Sequence, residues 1–191
     1  VDTIFDCASL TKVVATTSAV MKLFEAGKLR LNDPVTEYLP EFQGGESGIT
    51  VRHLLTHYSG LRPDVDLEPV WSGYETGVKL ALIDKPRSPP GTRFVYSDIN
   101  FVLLGEIVRR LSGRPLPEYA RDTVFLPLGM KESMLGCPKK CFYCAYTYHR
   151  KPQKEVYTYH DNDFYSAAEM TIREVVTDIK NGSRVITSID G

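Results

Sequence analysis

Ser9-Leu10-Thr11-Lys12 opens the segment 9–26 of this 191-residue chain, and the expected fold is built outward from it. Apolar residues occupy most positions as far as Ala26 and lie on nearly every side of a helical projection, which predicts a buried helix. Gly27 comes next, and a glycine directly after the last periodic residue predicts a left-handed helix cap. Ser9 is therefore predicted to stand at the start of a core helix.

The spacing of Ser9 and Lys12 predicts a nucleophile and its base. Residues three apart on a helix share a face, so the amine of Lys12 can approach the hydroxyl of Ser9. A serine hydroxyl is a poor nucleophile until a base takes its proton, and a lysine that is desolvated by apolar neighbours has a lowered pKa and can act as that base. Taken alone, the S-x-x-K pattern also fits a capping serine followed by a surface lysine.

Helical signals continue to about residue 130. Thr50 is predicted to cap a helix that carries Val51, Leu54 and Leu55 and ends near Ser59-Gly60. The proline-rich stretch 85–91 predicts a loop. Two further helices are predicted, over 97–111 (with Gly113 just beyond its end) and over 117–123.

Several motifs follow one another in a fixed order. They are Phe5-Asp6-Cys7-Ala8-Ser9-Leu10-Thr11-Lys12, the stretches 23–29 and 31–35, Ile49 to His57, Ser59-Gly60-Leu61, Pro90-Gly91-Thr92, Phe94 to Asp98, and Pro127-Leu128-Gly129-Met130. Over residues 2–134 this series resembles the serine β-lactamase and penicillin-binding-protein family of hydrolases. The resemblance implies that 1–135 is a partial hydrolase domain with Ser9 as its nucleophile and Lys12 as its base. A small-molecule ester or amide would be the substrate, and no cofactor would be needed.

The resemblance also assigns roles to Tyr96 and Asp98. Tyr96 matches the tyrosine of the family's Tyr-x-Asn motif, which implies that it moves a proton to the leaving group. It also fits a tyrosine packed at the start of a helix. Asp98 stands where asparagine is commonest, and a carboxylate beside Lys12 would raise the lysine pKa and weaken it as a base. This departure favours an esterase or a peptidase-like enzyme over a strong β-lactamase.

Part of the family's pattern is not found in this chain. No Lys-Thr-Gly or His-Thr-Gly follows Tyr96, although the family has such a strand beside its active site. The strands that precede the nucleophile in the family are not found either. The sequence is therefore expected to be a fragment, and an inactive remnant or a binding module stays an alternative to an active hydrolase.

His53 and His57 lie four residues apart, which is a spacing used by some metal-binding helices. A metal site needs further ligands, and none is evident nearby in the sequence. A structural place for both histidines is the expected outcome.

Three cysteines close together mark the last part of the chain. Cys137, Cys141 and Cys144 fall within eight residues, which favours a metal or cluster site over a disulfide framework. A loop with one disulfide and a spare thiol is the alternative. The motif Cys137-x-x-x-Cys141-x-Tyr143-Cys144 resembles the cluster-binding motif of radical S-adenosylmethionine enzymes. The resemblance implies a [4Fe–4S] cluster on the three cysteines and S-adenosylmethionine as cofactor, with Tyr143 assigned to cofactor binding.

The expected fold class is mixed α/β and mostly helical. A partial β-lactamase-like helical region over 1–135 is followed, in 136–191, by a short αβ unit. Ser166 and Glu169 have capping-box spacing before a helix that runs through Ile179, and the β-branched run 185–189 predicts a strand.

Net charge and hydrophobicity limit the kinds of partner that are expected. The net charge is −1, so nucleic acid is not an expected partner, and no apolar run reaches the ~18 residues that would span a bilayer. The localisation stays open, because the hydrolase family is often extracytoplasmic whereas clustered thiols favour the cytoplasm.

Overall fold

The structure is a computed structural model that describes residues 5–6, 8–66, 71, 73–130 and 187–188. These residues fall into two compact units. Residues 5–6, 8–10 and 187–188 belong to the first unit. The second unit begins at Thr11 and contains all the helices named below.

Two short strands are described in the first unit. Strand β1, Phe5–Asp6, pairs in parallel with β2, Thr187–Ser188, with Phe5 opposite Thr187. Strand β2 lies inside the predicted strand 185–189. The helix predicted before it lies outside the described residues, so the αβ unit stays a prediction.

The nucleophile segment is helical, as predicted, and it begins with an unusually wide turn. A π-helical stretch, Lys12–Thr17, continues directly into helix α1, Ser18–Glu25. The Thr17 hydroxyl donates a hydrogen bond of 2.9 Å to the Lys12 carbonyl five residues earlier. π-Helical turns of this kind are frequent at functional sites.

Gly27 ends α1 as the sequence predicts. It adopts a φ of +68°, and the amide of Lys28 donates to the carbonyl of Leu23 at 2.9 Å. These are the features of a left-handed helix cap, which a residue with a Cβ adopts at a cost.

The prediction that this helix is buried on all sides is wrong. Ala19, Val20 and Leu23 are fully buried, but Val13 is 63% exposed and Phe24 is 41% exposed. Helices α4 and α5, defined below, cover one side of the nucleophile segment. An apolar sequence pattern shows that the side chains are hydrophobic, but it does not show which of them are buried by neighbouring elements.

Helix α2, Val51–Leu55, begins at Thr50 with a full capping box. The hydroxyl of Thr50 accepts from the amide of His53 at 3.3 Å, and His53 Nδ1 accepts from the amide of Thr50 at 3.2 Å. The predicted cap is confirmed. A tight turn follows, in which His57 has a φ of 60° and Gly60 a φ of 79°.

Three more helices complete the second unit. They are α3, Tyr74–Ile83; α4, Asp98–Ser112; and α5, Leu116–Ala120, which a π-helical turn over Arg121–Phe125 extends. Helices α4 and α5 lie where the sequence predicts helices, and Gly113 ends α4 with a φ of 70°. Helix α3 was not predicted.

The hydrophobic core surrounds α4. Every residue of α4 from Ile99 to Val108 is buried, and α1, α2, α3 and α5 all contact this helix. Each buried leucine or isoleucine contributes about 1.5–3 kcal/mol by leaving water. Because α4 is fixed on all sides, the residues at its first turn are held in defined positions.

Candidate active site

Lys12 and Asp98 form an ion pair at the first turn of α4. Lys12 Nζ lies 2.8 Å from Asp98 Oδ1, and the two side chains are 5% and 25% exposed. Lys12 comes from the first π-helical turn of the nucleophile segment, and Asp98 is the first residue of α4. The fold thus brings together two of the four residues that the hydrolase interpretation selected.

Tyr96 completes this cluster from the extended residues before α4. Its ring centroid lies 4.9 Å from Lys12 Nζ, which is within the range of a cation–π contact. The side chain of Tyr96 is 46% exposed, so the buried ammonium of Lys12 lies beside a tyrosine that remains open to a ligand.

The surroundings of Lys12 raise its pKa above the ordinary value for lysine. Burial favours the neutral amine and lowers the pKa, but hydrogen bonding to Asp98 and to Tyr96 and the negative charge of Asp98 outweigh it. The expectation that desolvation would leave Lys12 with a lowered pKa is therefore wrong. The effect expected of a carboxylate at position 98 has the predicted direction.

His57 lies behind Tyr96, in a place that the sequence did not indicate. Its Nδ1 accepts a hydrogen bond from the amide of Ser97 at 3.1 Å, and Asn100 Nδ2 lies at the same distance from Nδ1. The imidazole ring packs on Tyr96 with 4.5 Å between centroids. Burial, followed by the charge of Lys12, lowers the pKa of His57, while Asp98 opposes this shift.

Buried polar contacts hold the residues on both sides of Tyr96. Ser59 Oγ donates to Asn100 Oδ1 at 2.6 Å, the Ser97 hydroxyl donates to the carbonyl of Arg62, and the amide of Asp98 donates to the carbonyl of Pro63 at 2.7 Å. Ser59, Ser97 and Asn100 are fully buried. Buried polar groups that satisfy one another fix a single arrangement, so the Tyr96–Asp98 stretch is preorganised.

Ser9 belongs to the first unit, where it is exposed in a turn that leads into the helical residue Leu10. The preceding residue, Ala8, is buried and has a φ of 40°. A non-glycine residue in the left-handed region costs about 1–2 kcal/mol, and such strain is concentrated at functional sites.

The two histidines use their Nδ1 atoms in different parts of the fold. His53 Nδ1 is used in the cap of α2, whereas His57 Nδ1 is used at the start of α4. Among the described residues, no group of three or more metal-ligating side chains converges.

Two further predictions concern the cysteine cluster near the end of the sequence and the lack of a membrane-spanning segment. The predicted cluster ligands Cys137, Cys141 and Cys144, and the cofactor-binding residue Tyr143, lie outside the described residues. Within the described part of the chain, no helix is both long enough and apolar enough to cross a bilayer.

Comparison with known proteins gives one consistent family. The sequence model of the Beta-lactamase family matches residues 1–178. A protein of Escherichia coli strain K12, named provisionally as a D-alanyl-D-alanine carboxypeptidase, is 31% identical over 150 residues, which are 70% of this chain and 34% of that protein.

Solved structures give the same result. The β-lactamase/D-alanine carboxypeptidase of Yersinia pestis, complexed with citrate, has a TM-score of 0.60 and 29% identity, covering 70% of this chain and 41% of that one. The D-amino acid amidase of Ochrobactrum anthropi SV3, complexed with D-phenylalanine, has a TM-score of 0.61 and 29% identity, covering 71% and 39% of the two chains.

The matches cover most of this chain but a minor part of each relative. The family match runs to residue 178, and the boundary predicted near residue 135 stays a prediction. The chain spans only 36% of a Salmonella agona relative and 34% of the Escherichia coli one.

Proposed function

Because this chain belongs to the Beta-lactamase family, we propose that it acts by acyl transfer, with Ser9 as the nucleophile and Lys12, Tyr96 and Asp98 as the groups that control the proton. The observation that carries the proposal is the buried Lys12, which is ion-paired with Asp98 and lies beside the exposed Tyr96. Lys12 follows Ser9 by three residues in the sequence, as the proposed pairing of a nucleophile with its base requires.

The reaction consists of two acyl transfers. Ser9 Oγ attacks the carbonyl carbon of an ester or amide, and its proton passes to Lys12. Tyr96 relays a proton to the departing alcohol or amine, so that the leaving group is released neutral and an acyl-serine ester remains. Water then attacks this ester, its proton is taken by the same base, and Ser9 regains its hydrogen.

Asp98 sets the conditions under which Lys12 can act as base. A lysine accepts a proton only when it is neutral, and the pKa of Lys12 is raised in this structure. The neutral form therefore becomes more abundant as the pH rises, and acylation is expected to be faster in alkaline than in neutral solution.

The names of the relatives support a proposal for the substrate class. The names of the Escherichia coli and Yersinia pestis proteins refer to D-alanine carboxypeptidases, and the Ochrobactrum anthropi protein is a D-amino acid amidase. We propose a small amide or ester with a D-amino acid next to the scissile bond.

Covalent labelling of Ser9 tests the proposal. A fluorophosphonate probe should form a bond between its phosphorus and Ser9 Oγ and release fluoride, and peptide mass mapping should place the adduct on Ser9. Ser9→Ala should abolish labelling, whereas Ser47→Ala, a change at an exposed serine outside the site, should not. A folded protein that is unlabelled, or labelled elsewhere, would contradict the proposal.

A further inference from the structure

His57 is a buried histidine in a strained conformation directly behind Tyr96. Its φ of 60° lies in the left-handed region, and it is 9% exposed. Its ring packs against Tyr96, Phe101 and Phe94, at centroid distances of 4.5, 5.2 and 5.9 Å. A residue keeps a strained backbone conformation only where contacts with its neighbours hold it there. The contacts of the His57 ring nitrogens therefore indicate what His57 does.

Two hydrogen-bond donors converge on one nitrogen of this ring. The amide of Ser97 donates to His57 Nδ1, and the side-chain amide of Asn100 faces the same atom. The orientation of Asn100 is fixed by Ser59, whose hydroxyl donates to Asn100 Oδ1 and accepts from the amide of Leu61. Nδ1 can accept from these donors only without a proton of its own, so the ring is neutral with its proton on Nε2.

We propose that neutral His57 is a positioning residue that holds Tyr96 and Asp98 for acyl transfer, and that its protonation disables the site on the acid side. Ser97 lies between these two residues, so the bond from its amide to Nδ1 fixes the backbone that carries both of them. This inference rests on the proposed function.

The charges around His57 agree with a neutral ring. Among the described residues, Lys12 opposes a second positive charge, Asp98 favours one, and Tyr96 presents its ring face. Burial is the largest influence, and together these lower the pKa of His57. Protonation would place a hydrogen on Nδ1 opposite two donors, and a buried donor left without an acceptor costs about 1–3 kcal/mol. The start of α4 would then shift, and Tyr96 with it.

Two variants distinguish the loss of the hydrogen-bond acceptor from the loss of the imidazole ring. His57→Asn places an oxygen where Nδ1 lies and tolerates the left-handed conformation, whereas His57→Leu places a methyl group there. Both variants lose the ring, so they differ chiefly in whether Ser97 keeps its acceptor. Circular dichroism identifies the pH range in which each protein is folded, and rates are compared only within it.

The kinetic readout is the rate of Ser9 labelling by a fluorophosphonate as a function of pH. We expect His57→Asn to be labelled at least ~10-fold faster than His57→Leu, because a misplaced catalytic group costs up to ~10²-fold in rate. In the unsubstituted protein, the slope of log rate against pH should steepen from about 1 to about 2 below the pKa of His57, because two groups must then lose protons. In His57→Asn the slope should stay near 1. Equal rates in the Asn and Leu variants, or no steepening, would overturn the inference.

A second readout does not need activity. Nitrogen-15 NMR of the unsubstituted chain should show His57 with an unprotonated Nδ1 at neutral pH, and the Ser97 amide and Tyr96 ring signals should move with its titration. Signals that stay unchanged while His57 titrates, or a protonated Nδ1, would overturn the inference even if Ser9 reacts. If the signals move as expected but Ser9 is never labelled, the proposed function fails, whereas the placement of Tyr96 and Asp98 by neutral His57 stands.

Discussion

At the scale of single residues, the negative charge of Asp98 favours the protonated form of Lys12. Their atoms are 2.8 Å apart, and the carboxylate contributes to the raised pKa of Lys12. Asp98→Asn removes that charge, so the pKa of Lys12 should fall. Because opposite charges at this distance shift a pKa by roughly 1–3 units, the pH of half-maximal Ser9 acylation should fall by at least ~1 unit.

The matched control for this change is Asp98→Glu, which keeps the charge and should leave the pH profile much closer to that of the unsubstituted protein. Fluorophosphonate labelling at a series of pH values measures both profiles. An Asp98→Asn profile that coincides with the unsubstituted one would mean that another group controls the acid limb.

The role of Lys12 as a base makes a separate prediction. Lys12→Ala should lower the rate of Ser9 acylation by at least ~10²-fold, the usual scale for general-base catalysis. Lys12→Arg should recover little of this loss, because a guanidinium stays protonated. Lys22→Ala, at an exposed lysine paired with Glu25, is the control and should leave the rate unchanged. Full activity in Lys12→Ala would return Lys12 to a structural role.

The charged residues of this site could be predicted from the sequence, but the buried residues that hold them in place could not. Lys12 and Asp98 belong to motifs whose residue types already indicate proton transfer, and the structure places them in contact. His57 and Asn100 act through contacts between residues more than 40 positions apart, and no local pattern encodes such a pairing. A histidine that accepts from a distant backbone amide has the same sequence signal as any other histidine.

At the scale of elements, the turn after α2 depends on Gly60. This glycine has a φ of 79°, and a Cβ built on it would lie 2.1 Å from the backbone carbonyl oxygen of Ser88. Gly27 also has a positive φ, but nothing lies within 4 Å of its added Cβ. Gly27→Ala should therefore cost about 1–2 kcal/mol of conformational strain, and Gly60→Ala should cost a further ~1–3 kcal/mol of steric overlap.

Chemical denaturation of the two glycine variants measures this difference directly. Both substitutions add a methyl group to a residue with a left-handed backbone conformation. The difference between their free energies of unfolding therefore reports the contact with Ser88. Equal free energies of unfolding would show that the loop around Ser88 yields at little cost.

Helix α4 is tied to its neighbours through the buried carboxylate of Glu106, which is 1% exposed. It accepts hydrogen bonds from Tyr74 at 2.6 Å and from Arg109 and Arg110 at 2.7 Å each. Burial alone would raise the pKa of Glu106, but these bonds outweigh it and lower the pKa to about 2. A carboxyl with a lowered pKa contributes stability that is present above its unfolded value of 4.5 and is lost as the pH falls toward 2.

Glu106→Gln should therefore lower the free energy of unfolding at pH 7 by about 3 kcal/mol, since breaking a buried ion pair costs on the order of 3–5 kcal/mol. The difference between the two proteins should shrink between pH 4.5 and 2. Glu41→Gln, at an exposed partner of Arg110, is the control and should cost less than about 1 kcal/mol. Thermal or urea unfolding across this pH range measures the stability that Glu106→Gln loses. A loss that does not change with pH would contradict the lowered pKa of Glu106.

Most helices of the second unit could be predicted, because their ends carry strong local signals such as Thr50 before α2 and Gly113 after α4. Helix α3 could not. It has Gly73 at its N-cap without a side-chain cap, and Gly77 inside it costs about 1 kcal/mol of helix propensity. Contact with α4 stabilises it instead, and a single sequence does not show that contact.

At the scale of the whole molecule, an apolar surface on the nucleophile segment stands out. Val13 and Val14 are 63% and 43% exposed, although they lie on the same helical stretch as the buried Ala15. The chain also spans about a third of the length of its curated relatives (36% and 34%). The helices of the second unit bury a core around α4.

The thiols of the tail give the last prediction at this scale. Their spacing favours three ligands to a [4Fe–4S] cluster, and thiolates so spaced hold iron through direct bonds. Anaerobic reconstitution of the full chain with iron and sulfide should give a brown protein, and Cys141→Ser should lose the colour. Cys7→Ser is the matched control and should keep it, because Cys7 lies far from the cluster of three in sequence. A colourless protein after reconstitution, with fewer titratable thiols than the sequence contains, would favour the disulfide alternative for Cys137, Cys141 and Cys144.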